Sequence, residues 1–318
     1  MVSVEAGLIR ASHDRIPAAF RDSPQFVAEE LTQRIGRPVV IKAETANPIG
    51  CFKGRGTWLA VAELVARGEV GERRGIVVAS AGNFGQGVAY AGRAMSVPVV
   101  VCAATTANAF KLAAMRRLGA EVRLVGEDFD AAREAAAAYV TDSGWQLLVD
   151  GEDPWISIGA GSIGLELTDA VQRGELPTIT ELLVPVGNGA LIGGLGAWTH
   201  AVAPRTRVIG VQAAQAPAMT LSWQARRPIT TERADTVADG IAARVPVPQA
   251  LELMIAGVDE MRLVDEGEII AATHEMSAAL PLTIEPSAGA AWAAALQQPG
   301  ASGAIALVLT GGNVMPPD

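Results

Sequence analysis

Short β-branched runs, each closed by a glycine-rich turn and followed by an alanine-rich amphipathic stretch, limit this chain to very few folds. Ile76-Val77-Val78-Ala79 runs into Ser80-Ala81-Gly82-Asn83, after which the spacing predicts a helix over Gly87–Met95. A second strand is predicted over Val97–Ala103 with a helix over Ala107–Leu118, and a third over Glu121–Val125 with a helix over Asp130–Ser143. The pattern returns later as strand Leu182–Val186, helix Leu191–Ala203, strand Val208–Gln212 and strand Ile305–Thr310. Glu266–Leu280 reads as a helix with Glu in the first turn, where the helix dipole favours it. Strand–helix alternation implies parallel sheet with right-handed crossovers. Half of the 318 residues are hydrophobic, enough to fill the core of one large α/β domain or of two smaller ones. The stretch from about 75 to 145 is compact enough to form its own lobe. No Pro/Gly/Ser linker separates it from the rest, so two lobes should pack closely around a cleft.

Charge removes several classes of partner. The net charge of −9 argues against nucleic acid and against acidic membrane surfaces. The two cysteines, Cys51 and Cys102, form neither a metal-ligand spacing nor a disulfide framework. The three histidines lie far apart in sequence, which disfavours a His-based metal site. Residues 1–17 lack the apolar stretch of a secretory signal, and no apolar run is long enough to span a bilayer. These features lead us to expect a cytoplasmic enzyme or binding protein.

Three glycine turns follow strands: Ser80-Ala81-Gly82-Asn83, Gly187-Asn188-Gly189-Ala190-Leu191 and Thr310-Gly311-Gly312-Asn313. In parallel sheets, ligands bind beyond the carboxyl ends of strands. A glycine turn that opens a helix offers backbone N–H groups and a positive dipole end to an anion. Two such turns suit two anions, for instance a phosphate and a carboxylate. A dinucleotide fits poorly. Gly82-x-x-Gly85-x-Gly87 inverts the usual spacing, and Val101-Cys102-Ala103 has no acid to hold a ribose. Lysine is the second signal. Of 25 basic residues only three are lysine, and Lys53 lies in Asn47-Pro48-Ile49-Gly50-Cys51-Phe52-Lys53-Gly54-Arg55-Gly56. Guanidinium stays charged, whereas an amine can lose a proton and attack a carbonyl. Lys53 is therefore a candidate Schiff-base nucleophile. Lys42 is expected to end a strand, and Lys111 to lie on a solvated helix face.

Together these residues resemble the pyridoxal-phosphate enzymes of fold type II, in particular the serine/threonine dehydratase branch related to serine racemase. The matching motifs are Pro48-x-x-x-Phe52-Lys53-x-Arg55-Gly56, Ser80-x-Gly82-Asn83, Gly187-x-Gly189, Ala238-Asp239-Gly240-Ile241-Ala242, Glu285-Pro286-x-x-Gly289-Ala290 and Gly311-Gly312-Asn313-Val314, in the family's order over about 40–314. The resemblance implies an α/β fold of two domains, like the tryptophan synthase β subunit. Each domain would hold a mostly parallel twisted sheet flanked by helices, with pyridoxal 5′-phosphate in the cleft. Residues 1–48 and 147–318 would form the large domain and 49–146 the small one. Lys53 would carry the cofactor and then shuttle the α-proton. Phe52 would flank the ring and Asn83 would bond its hydroxyl oxygen. Gly187, Asn188, Gly189, Ala190 and Leu191 would cradle the phosphate. Ser80, Ala81, Gly82 and Asn83 would receive the substrate carboxylate, and Thr310 would face the ring nitrogen. A homodimer is implied as well.

The resemblance also bears on chemistry. A hydroxyl at Thr310 stabilises a charged ring nitrogen less than a carboxylate would, so loss of a β-leaving group is favoured over transamination. The expected reaction is α,β-elimination on a β-hydroxy amino acid such as L-threonine or L-serine, giving a 2-oxo acid and ammonia. Ala81 stands where racemases of this branch carry a serine, which disfavours racemisation. β-Replacement on an O-activated serine or threonine is the main alternative, and a non-catalytic amino-acid sensor is a third. Gln212 and Ala218 occupy positions where relatives with a cation site carry acids, so no tight Mg²⁺ or Ca²⁺ site is expected. Glu285 remains available as a weak cation ligand or as a buried hydrogen-bonded carboxylate. Asp239 is expected to fix a loop. Phe84 and Cys51 depart from the family pattern near the substrate pocket.

Overall fold

A computed structural model describes residues 2–298 and 302–314. Ten strands among the described residues form two sheets. They are β1 (Gln25–Val27), β2 (Val39–Ala43), β3 (Ile76–Ala79), β4 (Val99–Ala103), β5 (Glu121–Leu124), β6 (Gln146–Leu147), β7 (Ile179–Pro185), β8 (Arg207–Ala213), β9 (Glu260–Val264) and β10 (Ala304–Leu309). The six-stranded sheet has the order β1-β2-β10-β7-β8-β9, and the four-stranded sheet β5-β4-β3-β6. All pairings are parallel except β1 against β2.

The apolar runs explain which strands lie inside. Every residue of β2, β4 and β10 is buried, as expected for parallel strands covered by helices on both faces. At the edge, β5 exposes Glu121, Arg123 and Leu124. Charge on an edge strand discourages pairing with another chain. The strand expected from Val97 starts at Val99, because the Val97 N–H donates to the Gly92 carbonyl and closes the preceding helix (2.8 Å). The helix expected from Gly87 starts at Asn83. Ser80 Oγ accepts from the amides of Gly82 and Gly85 (3.3 and 3.0 Å) and draws the glycine turn into the helix start.

The lysine motif opens the helix Lys53–Ala66, which crosses the 19-residue helix Pro154–Gln172. The crossing is a backbone contact. A Cβ on Gly56 would lie 2.4 Å from the Ile156 carbonyl oxygen, and one on Gly159 would lie 2.5 Å from the Gly56 Cα. This close approach holds the start of the lysine helix against the long helix, and so sets the place of Lys53 relative to both sheets.

Candidate active site

All strands that feed the site point their carboxyl ends toward it. Thr310 follows β10, Gly187 follows β7, Ser80 follows β3 and Asp150 follows β6. The lysine loop is pinned to the first of these ends. The Phe52 N–H donates to the Thr310 carbonyl (3.0 Å), and Cys51 bridges Gly311. Lys53 is the first residue of its helix and its side chain is 13% exposed, against 0% for Lys42 and 3% for Lys111. Its Nζ lies 4.8 Å from the Phe52 ring centre and 5.8 Å from that of Phe84. Nζ donates to Asp150 Oδ2 at 2.5 Å. The other oxygen, Asp150 Oδ1, is buried with no hydrogen-bond partner.

Asp150 also joins Lys53 to the second glycine turn. Its carbonyl accepts from Asn188 Nδ2 (2.9 Å), while Asn188 Oδ1 accepts from the Ala190 N–H (3.0 Å). Gly189 has φ +99°, and a Cβ there would lie 2.6 Å from Met254 Sδ. A Cβ on Gly187 would lie 2.7 Å from the Gly240 carbonyl oxygen. The turn opens the helix Ala190–Val202, whose first amides lack partners inside the helix. This arrangement suits a phosphate: backbone donors, a positive dipole end, and no side chain at two of the turn's positions.

A polar network lies at the first and third turns. Asn83 Nδ2 donates to both oxygens of Glu285 (3.2 and 3.1 Å), and its Oδ1 accepts from Asn313 Nδ2 (2.9 Å). The Asn313 N–H donates to Glu285 Oε1 (2.9 Å). Lys111 Nζ donates to Asp239 Oδ2 (2.6 Å) and lies 3.9 Å from Glu285 Oε1. Burial pushes the Glu285 carboxyl above its ordinary value, against the opposing pull of Lys111 and the Asn83 hydrogen bond. Glu285 thus spends its oxygens on Asn83 and Asn313, with Lys111 as the nearby charge. Gln212 Oε1 accepts from the Thr220 N–H and hydroxyl (2.9 Å each). Ser80 turns its hydroxyl into its own helix. A Cβ on Gly82 would meet nothing within 4 Å, so space lies open beside that turn. Thr310 is buried at the end of β10.

Two sequence expectations need correction. Lys111 is not on a solvated face: it is buried and ties the helix Ala109–Arg117 to the Asp239–Ile241 turn. Its chain neighbours Arg116 and Arg117 are exposed, and that pattern concealed it. Lys42 lies inside β2, where its Nζ donates to Glu166 Oε2 (2.5 Å). Two residues went unrecognised. Asp150 stands just past a short apolar run, the place where parallel sheets put ligand contacts, and that position was its only signal. Arg55 was visible only as a motif letter. It is fully buried, with Nε and Nη2 on Glu44 (2.8 and 2.9 Å) and Nη1 and Nη2 on Glu166 (2.6 and 2.9 Å). His13, Asp22 and Glu166 bring ligand-type atoms within 4.8 Å of one another. Both Glu166 oxygens already accept from Arg55, with Lys42 and His13 adding to them, so Glu166 is held within an ion network of its own.

Comparison with known proteins gives the family and the fold. Residues 16–311 match the family described as pyridoxal-phosphate dependent enzymes. The L-threonine ammonia-lyase of Geobacter sulfurreducens is 32% identical over 309 residues, covering 96% of this chain and 75% of that one. The solved threonine deaminase of T.th. superposes with a TM-score of 0.90 at 28% identity, over 99% of this chain and 100% of that one. Maize serine racemase has the same TM-score of 0.90 at 24% identity, over 98% and 94% of the two chains. At that identity the likeness concerns the fold, and the fold alone does not separate lyase from racemase.

Proposed function

The chain belongs to the family of pyridoxal-phosphate dependent enzymes, and from that premise we propose that it is an ammonia-lyase acting on a β-hydroxy amino acid of the L-threonine and L-serine class, with a 2-oxo acid and ammonia as products. One observation carries the reading. Asp150 touches both the Lys53 amine and the Asn188 side chain, so a nucleophilic amine and an anion-binding turn face the same space.

The residues present fit pyridoxal 5′-phosphate. The turn 187–191 offers backbone donors for the phosphate, Lys53 an amine for the aldehyde, and Phe52, Asn83 and Thr310 a frame for the ring. When bound, the cofactor supplies an electrophilic carbon and a ring that withdraws charge from the substrate's α-carbon. The chain supplies the rest. The Lys53 amine takes the α-proton onto Nζ. The Ser80–Asn83 turn offers the substrate carboxylate the amino end of the 12-residue helix Asn83–Ala94. The Ala81 methyl can neither give nor accept a proton, so nothing at that position can reprotonate the α-carbon from the face opposite Lys53. Loss of the β-hydroxyl then competes well against inversion. Thr310 offers a hydroxyl where a carboxylate would make transamination easier.

The site assignments, the division into 1–48 with 147–318 and 49–146, a homodimer and a cytoplasmic location are parts of this proposal. They rest on the resemblance, and the cytoplasmic location also on composition. No helix among the described residues is long and apolar enough to cross a membrane.

The test has two parts. Borohydride reduction of the cofactor-loaded protein, followed by peptide mapping, should label Lys53. A screen of L-serine, L-threonine and hydroxyaspartate should release 2-oxo acid and ammonia in equal amounts. A label on another residue removes the lysine assignment. Replacement product formed with added sulfide, and no 2-oxo acid, would make the enzyme a synthase. Formation of D-amino acid without ammonia would make it a racemase.

A further inference from the structure

We propose that Asp150 is a positioning residue that withholds the Lys53 amine until an anion occupies the Gly187–Leu191 turn, and so makes covalent capture selective for phosphorylated aldehydes. The inference deepens the functional reading above and rests on it. Four observations support it. Asp150 Oδ2 accepts from Lys53 Nζ at 2.5 Å, and the pair is largely shielded, with side chains 23% and 13% exposed. Among the described residues, Asp150 is the sole carboxylate that pairs with Lys53. Asp150 Oδ1 is buried without a partner, so this carboxylate is not anchored by hydrogen bonds of its own beyond the amine.

The fourth observation is the tether. Asn188 holds the segment by the Asp150 carbonyl (2.9 Å), and Asn188 Oδ1 occupies the amide of Ala190 (3.0 Å). Gly151 rides against the same side chain: a Cβ there would lie 3.3 Å from Asn188 Cγ, and its φ is +92°. An anion that binds the turn competes with Asn188 Oδ1 for the Ala190 amide. It also repels the Asp150 carboxylate. Both effects loosen the grip on Lys53. Without the anion, Nζ points its hydrogens at a carboxylate and is not free to attack. Once released, Nζ adds to the aldehyde carbon. A C–N double bond forms, and the carbonyl oxygen leaves as water with two nitrogen-borne protons.

The probe is pyridoxal, which has the aldehyde and lacks the phosphate ester. Apoprotein is mixed with pyridoxal, with and without inorganic phosphate, then reduced with borohydride and mapped by mass. In the wild-type chain, capture at Lys53 should be slow and rise about tenfold or more with phosphate, as for release of one charged hydrogen bond. Asp150→Asn should capture pyridoxal quickly without phosphate and respond little to it. Asp150→Ser, too short to reach the amine, should behave the same way. The proposal is overturned if both variants keep the wild-type phosphate response. It is equally overturned if the wild type captures pyridoxal 5′-phosphate at Lys53 yet shows no phosphate effect with pyridoxal. Failure to capture pyridoxal 5′-phosphate at Lys53 at all would remove the functional reading, and this proposal with it.

Discussion

Lys53 and Arg55 stand two residues apart on one helix turn, and the fold uses them in opposite ways. Arg55 points into the core, where Glu44 and Glu166 meet it from two sides and Ser162 and Ser23 complete its donors. Burial works against the Arg55 charge, but the two carboxylates outweigh it and raise its value. Burial likewise opposes the Glu166 charge, while hydrogen bonds from His13 and Arg55 and the charges of Arg55 and Lys42 hold its carboxyl below the usual range. Lys53 keeps part of its side chain exposed, with one carboxylate partner that itself keeps an unpaired oxygen. A fully partnered buried network specifies structure and resists change. A site that must exchange partners during turnover cannot be closed in that way. The contrast separates a scaffold charge from the one proposed to work.

The sharpest test of the contrast is a pair of substitutions. Arg55→Met should destabilise by about 3–5 kcal/mol in denaturant unfolding, because it leaves two buried carboxylates without their shared cation. Lys53→Met strands one carboxylate instead of two and should cost clearly less than Arg55→Met, yet abolish covalent capture of the cofactor. Equal losses in the two variants would break the comparison.

Within the working site, Gly189→Ala should cost about 1–3 kcal/mol, since φ +99° strains any side chain and Met254 blocks the space. The same variant should weaken phosphate binding measured by calorimetry. Unchanged binding would remove the turn from the site.

Glu285 gives a smaller, pH-dependent effect. Its raised carboxyl value means that its contribution to stability is fully present below the ordinary 4.5 and lost as pH rises through the raised value. Glu285→Gln should therefore raise the midpoint of thermal unfolding at neutral pH and leave it nearly unchanged in acid. A gain confined to acid would reverse the assignment. The smallest effect concerns Cys51, whose thiol is pushed up by burial. It should resist alkylation in the folded protein and react on unfolding, which a thiol titration with and without denaturant would read.

Local pattern was enough for part of this molecule and insufficient for the rest. The strand Ile76–Ala79 was legible to the residue, because a β-branched run bounded by glycine turns has few other conformations. The helix Pro154–Gln172 was not: it is buried along most of its length and shows no apolar stripe to detect. Lys53 stood out because lysine is so scarce here. Asp150 did not, since its role exists only once β6 and the lysine helix meet.

The chain's own letters determined the alternation of strand and helix, the glycine turns at strand ends and the presence of one suspicious amine. Those are local matters, governed by backbone freedom and side-chain periodicity. Only the tertiary structure decided which of three lysines is fixed in the core, which bridges a helix to a distant turn and which stays the most exposed. An amine's partners come from residues far away in sequence: Glu166 for Lys42, Asp239 for Lys111, Asp150 for Lys53. Electrostatic environment depends on distance in space, and distance in space is set by folding.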